Sequence, residues 1–219
     1  DSNGGTEPDI IRLLDGIVED WCRRAGVLPE NSVICLSEGR SFRYDLFPEY
    51  KAHRIDKPRP PFLVDCHEYL RKTYRAKSVD GLEADDVMGI IATNGKVKAP
   101  IVITIDKDLL GVPGWNCNPD KQIVQEISQT SAEWSFHLQW LVGDTSDGYP
   151  GLPGIGPKKA QAILEGPPSE ITQRVLKAYA AKGQPPEFAL QQARLARILT
   201  VDLWDSVARK PVLWSPTPF

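Results

Sequence analysis

The sequence predicts an α/β domain built on a parallel sheet flanked by helices. Three observations carry that prediction. Apolar runs of strand length, at residues 33–36 and 101–105, alternate with stretches of helical period. The second run leads straight into acidic residues, at the position where parallel α/β sheets bind ligands. The 219 residues, 41% hydrophobic and 25% charged, are enough for a buried core of ordinary globular composition.

Each element has its own signal. Thr6-Glu7-Pro8-Asp9 resembles a helix start, with a cap, an early Pro and an acid. Ile10, Leu13, Leu14, Ile17, Val18, Trp21 and Cys22 then follow at helical spacing until Pro29 and Asn31. Val33-Ile34-Cys35-Leu36 reads as a buried strand. Residues 40–61, rich in Pro and basic groups, read as a loop or mobile segment. Residues 62–74 read as a helix and 75–79 as a short strand. Leu82, Val87, Ile90 and Ile91 mark a helix stopped by Asn94-Gly95. The run at 101–105 is the clearest strand, and 115–117 and 123–127 suggest two more. Helices are expected at 133–142, 158–164 and 191–199, with Gly- and Pro-rich turns at 143–157. The reading divides the chain into an α/β core, 1–142, and a following helical region, 143–219.

Composition excludes several classes. No apolar run approaches the roughly 20 residues of a membrane helix, and no secretory leader is visible. Cys22, Cys35, Cys66 and Cys117 are too widely spaced for a zinc pattern, so reduced thiols and a cytoplasmic setting are expected. The chain opens on Asp1 rather than Met, as a fragment would. Its net charge of −3 argues mildly against a nucleic-acid binder, but residues 40–77 are net basic and 83–147 net acidic. Such a pairing suits a polyanion site beside a cation site, or simply two solvated faces.

The chemistry concentrates in three acidic clusters. Glu83, Asp85 and Asp86 open a predicted helix, where the macrodipole alone explains one or two acids easily and three less well. Asp106 and Asp108 follow the strand at 101–105. Asp144 and Asp147 lie in a Gly-bounded turn, which suits a hard cation or a plain Asx turn. Seven carboxylates without a Cys or His cluster imply Mg²⁺ or Mn²⁺. Two such ions side by side are the usual device for phosphodiester cleavage. Beyond them, Gly154-Ile155-Gly156-Pro157-Lys158-Lys159-Ala160 opens a helix in the manner of a grip on a DNA backbone. The glycines admit a phosphate, helix N–H groups receive it and lysines neutralise it.

These stretches, with Ser41-Phe42-Arg43 and Pro48-Glu49-Tyr50-Lys51-Ala52-His53-Arg54, resemble the structure-specific 5′ nucleases, the family of 5′→3′ exonucleases and flap endonucleases. Within that family, the chain resembles the 5′→3′ exonucleases of short-tailed bacteriophages. The resemblance is firm over residues 33–165. It implies a PIN-like sheet and a C-terminal helix–three-turn–helix region. It implies two Mg²⁺ or Mn²⁺ ions held by Glu83, Asp85 and Asp86, then Asp106 and Asp108, then Asp144 and Asp147. Glu38 would stand where the family has an Asp. Lys51 and Arg54 would act beside the scissile phosphate. Arg43, Gly154, Gly156, Lys158 and Lys159 would bind DNA, with K⁺ a further candidate near the glycines. Duplex DNA with 5′ ends or flaps is the implied substrate, RNA–DNA hybrids a plausible further one, and replisome proteins candidate partners.

Two departures matter. Leu13-Leu14-Asp15-Gly16-Ile17 imitates the family's first-strand motif, but its apolar period is helical, so Asp15 reads as a helix-surface acid. The first strand and its Asp are therefore expected upstream of Asp1. Glu38 is one methylene longer than the family's Asp. The implied function is a metal-dependent 5′→3′ exodeoxyribonuclease. The rivals are a non-catalytic DNA-junction binder with an incomplete metal site, and a ribonuclease of the related PIN-like fold.

Overall fold

The computed structural model describes residues 7–54 and 57–216. Helix α1, Glu7–Ala25, follows the predicted period; Thr6, its expected cap, lies outside the described residues. The same holds for a first strand upstream of Asp1. Asp15 is a helix acid as expected, and it is held by Tyr69 and Tyr74, whose hydroxyls stand 2.8 and 2.6 Å from its Oδ1.

The segment read as a loop contains a short helix, α2 (Arg43–Leu46), and a 3₁₀ turn, Ala52–Arg54. Helices α3 (Leu63–Thr73) and α4 (Ala84–Thr93) stand where their patterns place them. The expected strands at 33–36 and 75–79 shrink to a single parallel bridge between Cys35 and Lys77. Leu36 N donates to Lys77 O at 2.8 Å, and Lys77 N donates to Ile34 O at 2.7 Å.

The expected parallel sheet, covered on both faces, is corrected to a mixed three-stranded one. Strand β1, Ile101–Ile103, pairs parallel with β2, Gly114–Asn118, in the register Val102 to Asn116. Strand β3, Ile123–Ile127, pairs antiparallel with β2. The reason lies in the connection: the few residues between Asn118 and Ile123 reach only an antiparallel neighbour, because a parallel one needs a crossover. Ile123 and Val124 on this edge strand remain exposed.

Helix α5, Gln129–Val142, carries Phe136 and Trp140 into the largest core cluster. Helices α6 (Pro157–Leu164), α7 (Ile171–Ala181) and α8 (Pro186–Ala196) pack around it. Helix α7 had no counterpart in the sequence reading, and α8 begins five residues earlier than expected. Trp140 is fully buried; its Nε1 donates to Ala189 O at 2.7 Å, and its carbonyl accepts from Tyr179 Oη at 2.7 Å. Tyr50 joins this cluster from the other side of residue 142, so one core spans both expected regions. A small antiparallel pair, β4 (Trp204–Asp205) and β5 (Lys210–Pro211), follows. Among the described residues no helix is long and apolar enough to cross a membrane, and all four cysteines are free thiols.

Candidate active site

Six carboxylates converge on one cavity of about 410 Å³. They are Glu83, Asp85, Asp106, Asp108, Asp144 and Asp147, and Lys51, Arg54 and Lys107 line the same space. Local rules put each there. Thr104 N continues the β1 ladder to Cys117 O, so the chain leaves the sheet at its carboxyl end with Asp106 next. Asp106 caps the 3₁₀ turn Lys107–Gly111 by accepting from Asp108 N at 2.9 Å. Glu83 caps α4 in a reciprocal box with Asp86, which brings Asp85 into the first turn.

The third cluster depends on two glycines. Gly143 ends α5 at φ 72°, and a Cβ there would lie 2.4 Å from Gly151 N. A Cβ on Gly151 would lie 2.3 Å from Gly143 N in return. Backbones this close tolerate no side chain, and they pinch residues 144–149 into a loop. Within it, Asp144 Oδ1 accepts from Ser146 N, Ser146 Oγ and Asp147 N at 2.7, 2.6 and 3.2 Å.

The cations are shared between the acids. Lys51 contacts Glu83 and stands 3.4 Å from Asp147 Oδ1. Arg54 donates to Ser146 O at 2.7 Å and to Asp147 Oδ1 at 3.3 Å. The Tyr50 hydroxyl stands 2.9 Å from Glu83 Oε2 and 2.8 Å from Asp147 Oδ2. Burial opposes ionisation of Glu83, but Arg43 and then Lys51 outweigh it and hold the carboxyl below its ordinary value. Burial likewise opposes Asp144, where the bonds from Ser146 and the charge of Lys107 prevail. Asp85 goes the other way: burial, then the charge of Asp106, push it up to about 7. Burial and Asp106 push Asp108 up to about 6. The site therefore holds more negative charge than its own cations neutralise. An all-oxygen, electron-rich set of this kind fits hard divalent ions. Among the described residues, no three acids already close around a single point as a finished cage.

Of the other expected site residues, Arg43 lies in the cavity wall, while Asp86 and Glu38 lie outside it. Arg43, expected on DNA, is buried at 2% exposure. Its guanidinium clamps Asp86 at 2.6 and 2.9 Å and reaches Glu83 at 3.1 Å and the carbonyls of Leu195 and Arg197. Asp86, expected as a metal ligand, is fully buried and committed to Arg43 and to Leu199 N. A buried charge needs its partner, so neither residue is free for a ligand. Glu38 is half exposed, bonded to Ser78 and 3.5 Å from Arg71, and it does not line the cavity. Its backbone is tied to Leu82 and Gly81, which directs it away.

The glycine–lysine stretch lies beyond the acidic loop. Gly154 has φ 77°, Gly156 caps α6 and Pro157 takes its first turn. Lys158 and Lys159 are exposed, and open space surrounds a Cβ built on Gly154 or Gly156. Tyr50, Lys107, Gln139 and Tyr149 also line the cavity, with no role expected from the sequence. The apolar ring and polar tip of Tyr50 suit a residue spanning core and site. Lys107 stands between two acids singled out as ligands, which was the available signal.

Comparison with known proteins identifies the family and the fold. The family described as 5′-3′ exonuclease, N-terminal resolvase-like domain, matches residues 16–131. The exodeoxyribonuclease of Enterobacteria phage T3 is 32% identical, over 89% of this chain and 66% of that protein. The exonuclease of Escherichia phage T7 is 28% identical, over 84% of this chain and 73% of that protein. This chain thus spans just under two thirds of the phage T3 protein. The solved phage T5 5′-exonuclease with zinc bound superposes at a TM-score of 0.62 and 18% identity, over 85% of this chain and 80% of that one. A phage T5 flap endonuclease complex with DNA and metal ions gives 0.65 at 17% identity, with the same coverage. The solved structures share the fold, and the family match spans more than half of the sequence: this chain belongs to the 5′-3′ exonuclease family, through its N-terminal resolvase-like domain.

Proposed function

We propose that the chain carries the catalytic site of a metal-dependent 5′→3′ exodeoxyribonuclease acting on duplex ends and on 5′ flaps. The observation that carries this reading is the convergence of six carboxylates on one cavity edged by Lys51, Arg54 and Lys107. Glu83, Asp85, Asp106, Asp108, Asp144 and Asp147 would hold Mg²⁺ or Mn²⁺. Such ions activate water and stabilise a leaving oxygen. Lys51 and Arg54 orient the scissile phosphate and offset charge that grows on it. Tyr50 keeps Glu83 and Asp147 in register. Gly154, Gly156, Lys158 and Lys159 form the duplex grip of a helix–three-turn–helix element, which reads backbone and not sequence. The division at residue 142 then crosses the site: Asp144 and Asp147 complete the cutting side, and the duplex grip begins beyond them, over a common core. RNA paired to DNA is a further candidate substrate, and a replication setting follows from the same reading. The phage T5 complex with DNA and metal ions supports a DNA substrate.

Digestion of 5′-labelled duplex, blunt and flapped, tests the reading. Cleavage that needs Mg²⁺ and disappears in Asp106→Asn or Asp144→Asn, with DNA binding kept, is expected. Binding without any Mg²⁺-dependent product refutes it. That result favours the rival junction-binding reading, which draws on the positions of Glu38 and Asp86 outside the site.

A further inference from the structure

We propose that Lys107 is the chain's own counter-ion for the Asp108–Asp144 pair, giving up that place to a divalent cation and turning to a substrate phosphate. The proposal rests on the metal-dependent reading above. Lys107 lies on the turn directly after β1, flanked by Asp106 and Asp108. Its Nζ stands 3.4 Å from Asp144 Oδ2 and 3.9 Å from Asp108 Oδ1. Asp144 Oδ1 is already occupied by three donors from Ser146 and Asp147. A cation coming to Asp144 must therefore use Oδ2, the atom that Lys107 contacts.

An ammonium and a divalent ion at one carboxylate oxygen repel each other, so the two compete. Lys107 yields easily, because its side chain is 73% exposed while that of Asp144 is 8% exposed. The ammonium end of the pair is already in water, so leaving Asp144 costs it little solvation. The released ammonium remains on a flexible stem at the rim of the cavity, where an incoming phosphate needs charge. Lys51 differs: it is mostly buried between Glu83 and Asp147, and it lacks this freedom.

Mn²⁺ titration calorimetry on the full chain tests the competition, comparing Lys107→Met with Lys121→Met, a surface change of equal charge. Lys107→Met is expected to tighten one Mn²⁺ site about five- to tenfold, while Lys121→Met leaves it unchanged. With saturating Mn²⁺, single-turnover cleavage of a 5′-flap duplex is expected to slow in Lys107→Met and to recover in Lys107→Arg. Unchanged or weaker Mn²⁺ binding in Lys107→Met overturns the proposal when Asp144→Asn does weaken binding. If Asp144→Asn and Asp108→Asn both leave Mn²⁺ binding untouched, the metal reading itself falls and Lys107 loses its role with it.

Discussion

Replacing Asp85 by Asn should stabilise the protein when divalent ions are chelated. The carboxyl is raised from its ordinary 3.8 to about 7 by burial and by Asp106. Between those values the folded state holds a proton that the unfolded state has released. Stability therefore falls as pH rises through this window and stays low above it. At roughly 1.4 kcal/mol per pH unit the full penalty is about 4 kcal/mol, and water around a half-buried group reduces it to the order of 1–2 kcal/mol. Asn keeps the shape and cannot ionise, so it escapes the penalty. For a chain of this size that corresponds to about 3–6 °C in Tm. His67 and His137, held below their ordinary values chiefly by burial, act alike in both proteins and cancel. Thermal unfolding at pH 8 in EDTA should show the variant melting higher, with the gap closing toward pH 5. Added Mn²⁺ should erase the advantage, because only the intact site gains from binding. A variant no more stable than wild type at pH 8, or a gap that widens toward pH 5, would refute the reasoning.

Other changes test other layers. Arg43→Met should cost about 3–5 kcal/mol in denaturant unfolding by stranding the buried Asp86 charge; adding Asp86→Leu should recover much of it, and no recovery would contradict the pairing. Lys158→Ala with Lys159→Ala should weaken binding equally for unrelated duplexes and lower the salt slope of log K by roughly 0.9 per lost contact. A shift in sequence preference instead would rule out a backbone grip. Lys51→Ala should slow single-turnover cleavage at least tenfold, on the order of 1.4 kcal/mol of barrier, with duplex affinity in Ca²⁺ nearly kept. Lost affinity with an unchanged saturated rate would make Lys51 a binding residue only.

Local rules are why much of this was legible in the sequence. The periods of α1, α3 and α4 and the run at β1 depend on neighbours a few residues away, and each element stands where its pattern put it. The acidic clusters were recognisable because carboxylates after a strand or in a helix's first turn are exposed to a ligand by the backbone itself. Tertiary structure decided which of them share a cavity. Asp85 and Asp86 are adjacent, yet the turn of the helix sends one to the cavity and the other onto Arg43. Nothing local marks Arg43 as buried; its partners come from α4 and from the carbonyls of Leu195 and Arg197, more than a hundred and fifty residues away. Helix α7 escaped because its buried face, Ile171, Val175 and Tyr179, gains meaning only against Trp140 and α6. The glycines marked the turn that holds Asp144, but not that Gly143 meets Gly151 backbone to backbone, because residue type alone does not say which glycines of a turn touch.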